Sequence, residues 1–141
     1  MPESLDIIID LPVYPERVYR AWLDSGEQSR ITGAPADIQP RAGGRFSALG
    51  GDVESQILAL SPHDRILQTW NVSGALTLAG TQVELLLSPT CTGSELRLHH
   101  SAIPAGQSRQ VMQWWESTFL RPLSAYFDEL VGEYPADMGD G

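Results

Sequence analysis

Few residues in this chain are equipped for chemistry, and their spacing limits what each can do. His99 and His100 are neighbours in a segment of strand character, Glu95 to Ser101. Adjacent strand residues point to opposite faces, so the two imidazoles cannot chelate one metal together. By register with Leu96 and Leu98, His100 faces inward and His99 faces solvent. An inward imidazole can act as a general base or anchor a polar ligand atom. It can equally be a core histidine bonded to a neighbour. His63 falls in a Pro-His-Asp turn and reads as a surface residue. Cys91 sits in a Thr-Cys-Thr-Gly turn with no local base to lower its pKa, so a nucleophilic role is not expected. No Gly-x-Ser-x-Gly elbow occurs, no His/Cys spacing suits zinc, and no carboxylate-rich loop suits calcium. Gly43-Gly44 and Gly50-Gly51 frame a strand rather than open a helix, so they read as tight turns and not a phosphate cradle. The expectation is a chain with no metal and no cofactor.

Composition narrows the field further. The 141 residues carry 18 acidic side chains against nine basic ones, a formal net charge of −9, and every basic one is arginine. Without lysine, Schiff-base chemistry, pyridoxal phosphate attachment and a P-loop are excluded. No basic face clusters for phosphates, so no nucleic acid is expected as partner, and an anionic membrane surface would repel the chain. No apolar run approaches the roughly 20 residues that span a bilayer. The acidic N-terminal stretch does not read as a signal peptide, and a single cysteine suits a reducing, cytoplasmic compartment. Acidity concentrates at the C-terminal end, where residues 133–141 read as a disordered acidic tail after a single domain over 1–132.

The elements that position these residues follow from periodicity. Leu5 to Asp10 alternate as a strand, and Pro15 opens a short helix with Val18, Tyr19, Trp22 and Leu23 at helical spacing, ended by Gly26. Residues 24–44 hold four glycines and two prolines and read mostly as loop, with room for a helical turn. Arg45 to Leu49 and Val53 to Leu60 form a hairpin about Gly50-Gly51-Asp52, followed by Arg65 to Asn71. Thr81 to Leu87 and Glu95 to Ser101 form another, while Ser73 to Gly80 fits either a loop or an edge strand. From Ser108 the period becomes 3.6. Val111, Trp115, Phe119, Leu123 and Phe127 recur every fourth residue in a helix of roughly six turns. Pro122 is expected to kink it, and Gly132 to end it. A meander with one face to bury and one long helix to bury it implies a sheet curled around that helix, with a cleft between.

In order along the chain, Val18-Tyr19-Arg20-Ala21-Trp22-Leu23-Asp24, Ile31-Thr32-Gly33-Ala34-Pro35-Ala36 and Gly43-Gly44-Arg45-Phe46-Ser47 stand before Leu60-Ser61-Pro62-His63-Asp64-Arg65-Ile66-Leu67-Gln68-Thr69-Trp70. Ser101-Ala102-Ile103-Pro104-Ala105-Gly106, Trp115, Phe119-Leu120-Arg121-Pro122-Leu123 and Tyr126-Phe127 complete the series. Over nearly the whole chain this resembles the C-terminal domain of the activator of heat-shock protein 90 ATPase and its single-domain homologues. These lie within the START-like, helix-grip superfamily. The resemblance implies an α+β helix-grip fold of about six antiparallel strands around one long C-terminal helix, with short helices after the first strand. Two departures add bulk beside the cleft: Trp114, where the family often has glycine, and Asp52-Val53-Glu54-Ser55 after the glycine hairpin.

The expected ligand set is the inward aromatics Trp22, Phe46 and Trp70, with Trp115 and Phe119 from the helix and Leu98 and His100 from the strand. These residues point to a non-catalytic binder of a small hydrophobic or aromatic molecule. A cyclase or hydrolase using His100 is the alternative. A chaperone ATPase as partner ranks below both, because the eukaryotic activator carries a further N-terminal domain that this chain is expected to lack. A homodimer through a sheet edge or the outer helix face is open to it.

Overall fold

A computed structural model describes residues 1–133. The first strand, β1 (Glu3–Leu11), leads through Pro12 and Pro15 into α1 (Pro15–Trp22) and α2 (Ser25–Thr32). Then come β2 (Asp37–Ile38), β3 (Arg45–Ala48), β4 (Val53–Ser61), β5 (Arg65–Val72), β6 (Leu78–Thr90) and β7 (Gly93–Ile103). One sheet holds all seven in the order β1-β7-β6-β5-β4-β3-β2, and every pairing is antiparallel. The strand beyond the expected six is β2, two residues in a stretch that reads as loop. The undecided segment divides: residues 73–77 connect, and β6 starts at Leu78.

The region read mostly as loop contains a full helix. Gly26 does not end α1; it lies in the first turn of α2, whose N-cap Asp24 accepts from the Glu27 N–H at 2.9 Å. Composition hides this helix because its only buried apolar side chain is Ile31, beside buried Glu27 and Gln28. Gly33, at φ 78°, closes it in the left-handed conformation that glycine adopts without strain.

The C-terminal helix runs without a break as α3 (Ser108–Trp115), a π-helical turn (Glu116–Leu120) and α4 (Arg121–Glu133), continuing one residue past Gly132. The wide turn ends two residues before Pro122, and the Arg121 N–H donates to the Glu116 carbonyl five residues back. The helix thus meets the missing proline N–H with a change of winding. Its buried stripe and the inward residues of the sheet form one core. The segment read as an acidic tail lies, from residue 134 on, outside the described residues. Among those described, no helix is long and apolar enough to cross a membrane.

Candidate functional site

The inward faces of the sheet and the helix stripe bring the expected residues together. Trp22 comes from α1, Phe46 from β3, Trp70 from β5, Leu98 and His100 from β7, Trp115 from α3 and Phe119 from the π turn. All are buried. Trp70 and Trp115 stack at 4.8 Å between ring centroids, Trp22 stacks on Phe46 at 5.9 Å, and Phe119 lies 5.3 to 5.6 Å from Trp115, Trp22 and Trp70. Trp114 crosses Trp70 and Trp115 at 6.2 and 5.2 Å. These spacings are those of rings in direct contact. The side chains expected to line a cleft pack against one another.

His100 is wired into this cluster in one direction. The indole N–H of Trp115 donates to Nδ1 of His100 at 2.9 Å, which fixes the imidazole proton on Nε2. That N–H donates to Thr81 Oγ1 at 2.8 Å, and the Thr81 hydroxyl donates to the Trp70 carbonyl. Burial, with a smaller push from the charge of His99, lowers the His100 pKa to about 4. The only lone pair on the ring is occupied by Trp115, so no acceptor remains for a substrate proton. His99 points the other way, as its register requires, and meets Asp6 at 3.0 Å.

A second polar chain was not visible in the sequence. Trp22 Nε1–H donates to Gln68 Oε1 at 2.9 Å, and the Gln68 amide donates to Ser55 Oγ at 2.7 Å. Gln28 donates to the Trp22 carbonyl at 3.0 Å. The signal for Gln68 was present: it occupies the inward row Ile66, Gln68, Trp70, Val72 of β5, the one polar member among apolar ones. A third cluster ties the helices together. Arg17 grips Glu27 with both nitrogens, one at 3.0 Å, and the Tyr126 hydroxyl donates to Glu27 at 2.6 Å. Burial opposes ionisation of Glu27, yet the bonds from Arg17 and Tyr126 outweigh it and hold the carboxyl below its usual range. Among the described residues, three buried polar atoms find no hydrogen-bond partner: the indole N–H of Trp70, the Ser94 hydroxyl and Oε1 of Gln28.

On the surface, Arg45 pairs with Glu54 and Asp37, and Glu84 pairs with Arg65. Cys91 is exposed in the tight turn joining β6 and β7. Among the described residues no group of three or more His, Cys, Asp or Glu is placed to hold a metal ion.

Comparison with known proteins places this geometry in context. The family model described as activator of Hsp90 ATPase homolog 1-like protein matches residues 12–128. The human activator of 90 kDa heat shock protein ATPase homolog 1 is 23% identical over 113 residues, covering 80% of this chain and 33% of that protein. The chain spans about a third of the length of the curated relatives it matches. An HSP90 activator from Plasmodium falciparum has the same fold, with a TM-score of 0.77 at 21% identity, over 87% of this chain and 94% of that one. The Aha1 dimer from Colwellia psychrerythraea aligns at a TM-score of 0.71 and 17% identity, over 89% and 96% of the two chains.

Proposed function

The chain belongs to the activator of Hsp90 ATPase homolog 1-like family, and from that premise we propose that it is a non-catalytic accessory domain that works through its outer surface, with a chaperone ATPase as its partner. The observation that carries this reading is the closed interior. The aromatic residues of helix and sheet are in mutual contact, Trp114 covers them, and the one inward imidazole is bonded on both sides. Such an interior supplies rigidity, and recognition falls to the faces outside it. The names of its human and Plasmodium relatives supply the class of partner.

The test is an ATPase assay with a purified 90-kDa-class chaperone and the full chain. Stimulated turnover that saturates with added protein is the expected result. Unchanged turnover together with no complex by sedimentation would sink the idea. The Colwellia relative is a dimer, and a paired form of this chain belongs to the same reading. Sedimentation of the chain alone should then show a dimer.

One observation favours a second reading, in which a small apolar molecule enters between sheet and helix. The Trp70 N–H is buried without an acceptor in the middle of the aromatic cluster, beside a π turn, a feature frequent at functional sites. A ligand carbonyl or ether oxygen would satisfy it. Saturable quenching of the tryptophans by a flat aromatic ketone, lost in Trp70→Phe, is the expected signature. Quenching that persists unchanged in that variant removes this reading.

A further inference from the structure

The outer face of α1 forms one wall of a groove of about 490 Å³, within the roughly 300–1,000 Å³ common for small-molecule sites. Tyr19 and Leu23 give it an apolar floor, and Glu16, Arg20 and Asp24 follow one another along the same wall. The opposite side is built from Pro40, between β2 and β3, and His63, in the turn joining β4 and β5.

Two features set this groove apart from an ordinary solvated helix face. Glu16 and Arg20 are four residues apart on one helix, the spacing at which a carboxylate and a guanidinium ordinarily pair. They make no ion pair, and among the described residues neither head group hydrogen-bonds to another side chain. Arg17, on the next face, is by contrast fully engaged by Glu27. The second feature is His63. It holds a left-handed backbone, φ 67°, which costs a side chain of its kind of order 1 kcal/mol. That conformation sets its imidazole edge-on to the Tyr19 ring at 5.6 Å. A strained turn therefore keeps an aromatic, titratable wall over an apolar floor flanked by unpaired charges of both signs.

From this arrangement we propose that the groove is a binding site for a small amino-carboxylate with a flat aromatic body. The ligand's carboxylate meets Arg20, its ammonium meets Glu16, and its ring lies against Tyr19, Leu23 and His63. A simple anion is disfavoured by Glu16 and Asp24, and a simple cation by Arg20. Asp24 is the lesser contributor, because one of its oxygens already caps α2. Glu16 and Arg20 are about one helical turn apart in the backbone, roughly 6 Å along the axis, so a ligand carrying both charges close together is within the reach of both side chains. This site is separate from the aromatic interior, and binding there is read without any chaperone present, so it stands or falls independently of the proposed function.

The experiment uses the full chain and three probes, L-phenylalanine, phenylacetate and phenethylamine, followed by amide chemical shifts in NMR titrations. L-phenylalanine is expected to saturate, with shifts confined to α1 and the β4–β5 turn. Each probe with a single charge should bind about tenfold more weakly, the loss of one charge-assisted bond. Arg20→Gln should weaken L-phenylalanine about tenfold and leave phenethylamine unchanged, a split that a merely unfolded variant could not produce. The site assignment is overturned if no probe saturates, if the shifts fall elsewhere, or if phenethylamine binds wild type as well as L-phenylalanine does.

Discussion

At the scale of single residues, His100 decides how the interior responds to pH. Its folded pKa lies near 4, below the ordinary 6.5, because burial disfavours the imidazolium and a second N–H on Nδ1 would face the Trp115 donor. Between those values the unfolded chain binds the proton and the folded one does not, so stability rises with pH across that window. Full stability is present above about pH 6.5, and about 3 kcal/mol is lost on falling to pH 4. Urea unfolding at pH 7 and pH 4.5 should show this loss in wild type, and His100→Gln should flatten it. A variant with the wild-type slope would show that another group governs the transition. The facing of His99 and His100 was legible from strand parity alone. Their bonds were not, because Thr81 and Trp115 reach His100 from the neighbouring strand β6 and from the helix that follows β7, across the packed interior.

At the scale of elements, the Arg17–Glu27–Tyr126 cluster joins α1, α2 and α4. Glu27→Ala leaves a mostly buried guanidinium unpaired and should cost about 3 kcal/mol, whereas Tyr126→Phe removes one bond and should cost about 1 kcal/mol. A double-mutant cycle measured by chemical denaturation checks the coupling, and additive costs would count against a shared cluster. The sequence hid this joint because Ser25-Gly26-Glu27-Gln28-Ser29-Arg30-Ile31-Thr32 lacks an apolar stripe.

The long helix teaches the converse. Residues recurring every fourth position drift by about 40° per step on an ideal α-helix, so five of them should wander off one face. Yet Val111, Trp115, Phe119, Leu123 and Phe127 are all fully buried. The π turn takes more residues per turn and returns the stripe to the core. The strict spacing by four was therefore a trace of the wide turn, read instead with Pro122 as a kink. Deleting Ser117 from the wide turn restores α geometry and should leave a folded protein. Deleting Ala125 rotates everything beyond it by about 100° and should cost several kcal/mol by exposing Phe127. Thermal melts of the two deletions compare them directly, and equal losses would contradict this account of the turn.

At the scale of the whole molecule, the α+β class and the hairpins β3–β4 and β6–β7 were legible from alternation and turn residues, because each is local. The sheet order was not, since β1 pairs with the last strand in the chain, in register from Leu5 opposite His100 to Leu11 opposite Ser94. Gly93 allows this closure: a Cβ there would sit 2.1 Å from the Leu11 carbonyl oxygen. Amide exchange should be slowest in β5 and β6, which are paired on both sides, and fastest in β2 at the far edge. Protection in β2 equal to that in β5 would contradict this ranking.

The same pairing sets an order on synthesis. A ribosome delivers the inward side chains Leu5, Ile7 and Ile9 before the strand that pairs with theirs, with β2 to β6 made in between. Until Gly93 to Ile103 emerge, the nascent chain carries an apolar strand with no partner, the kind of segment that chaperones hold. A domain of this topology is thus a candidate client during its own birth, whatever it later does for others.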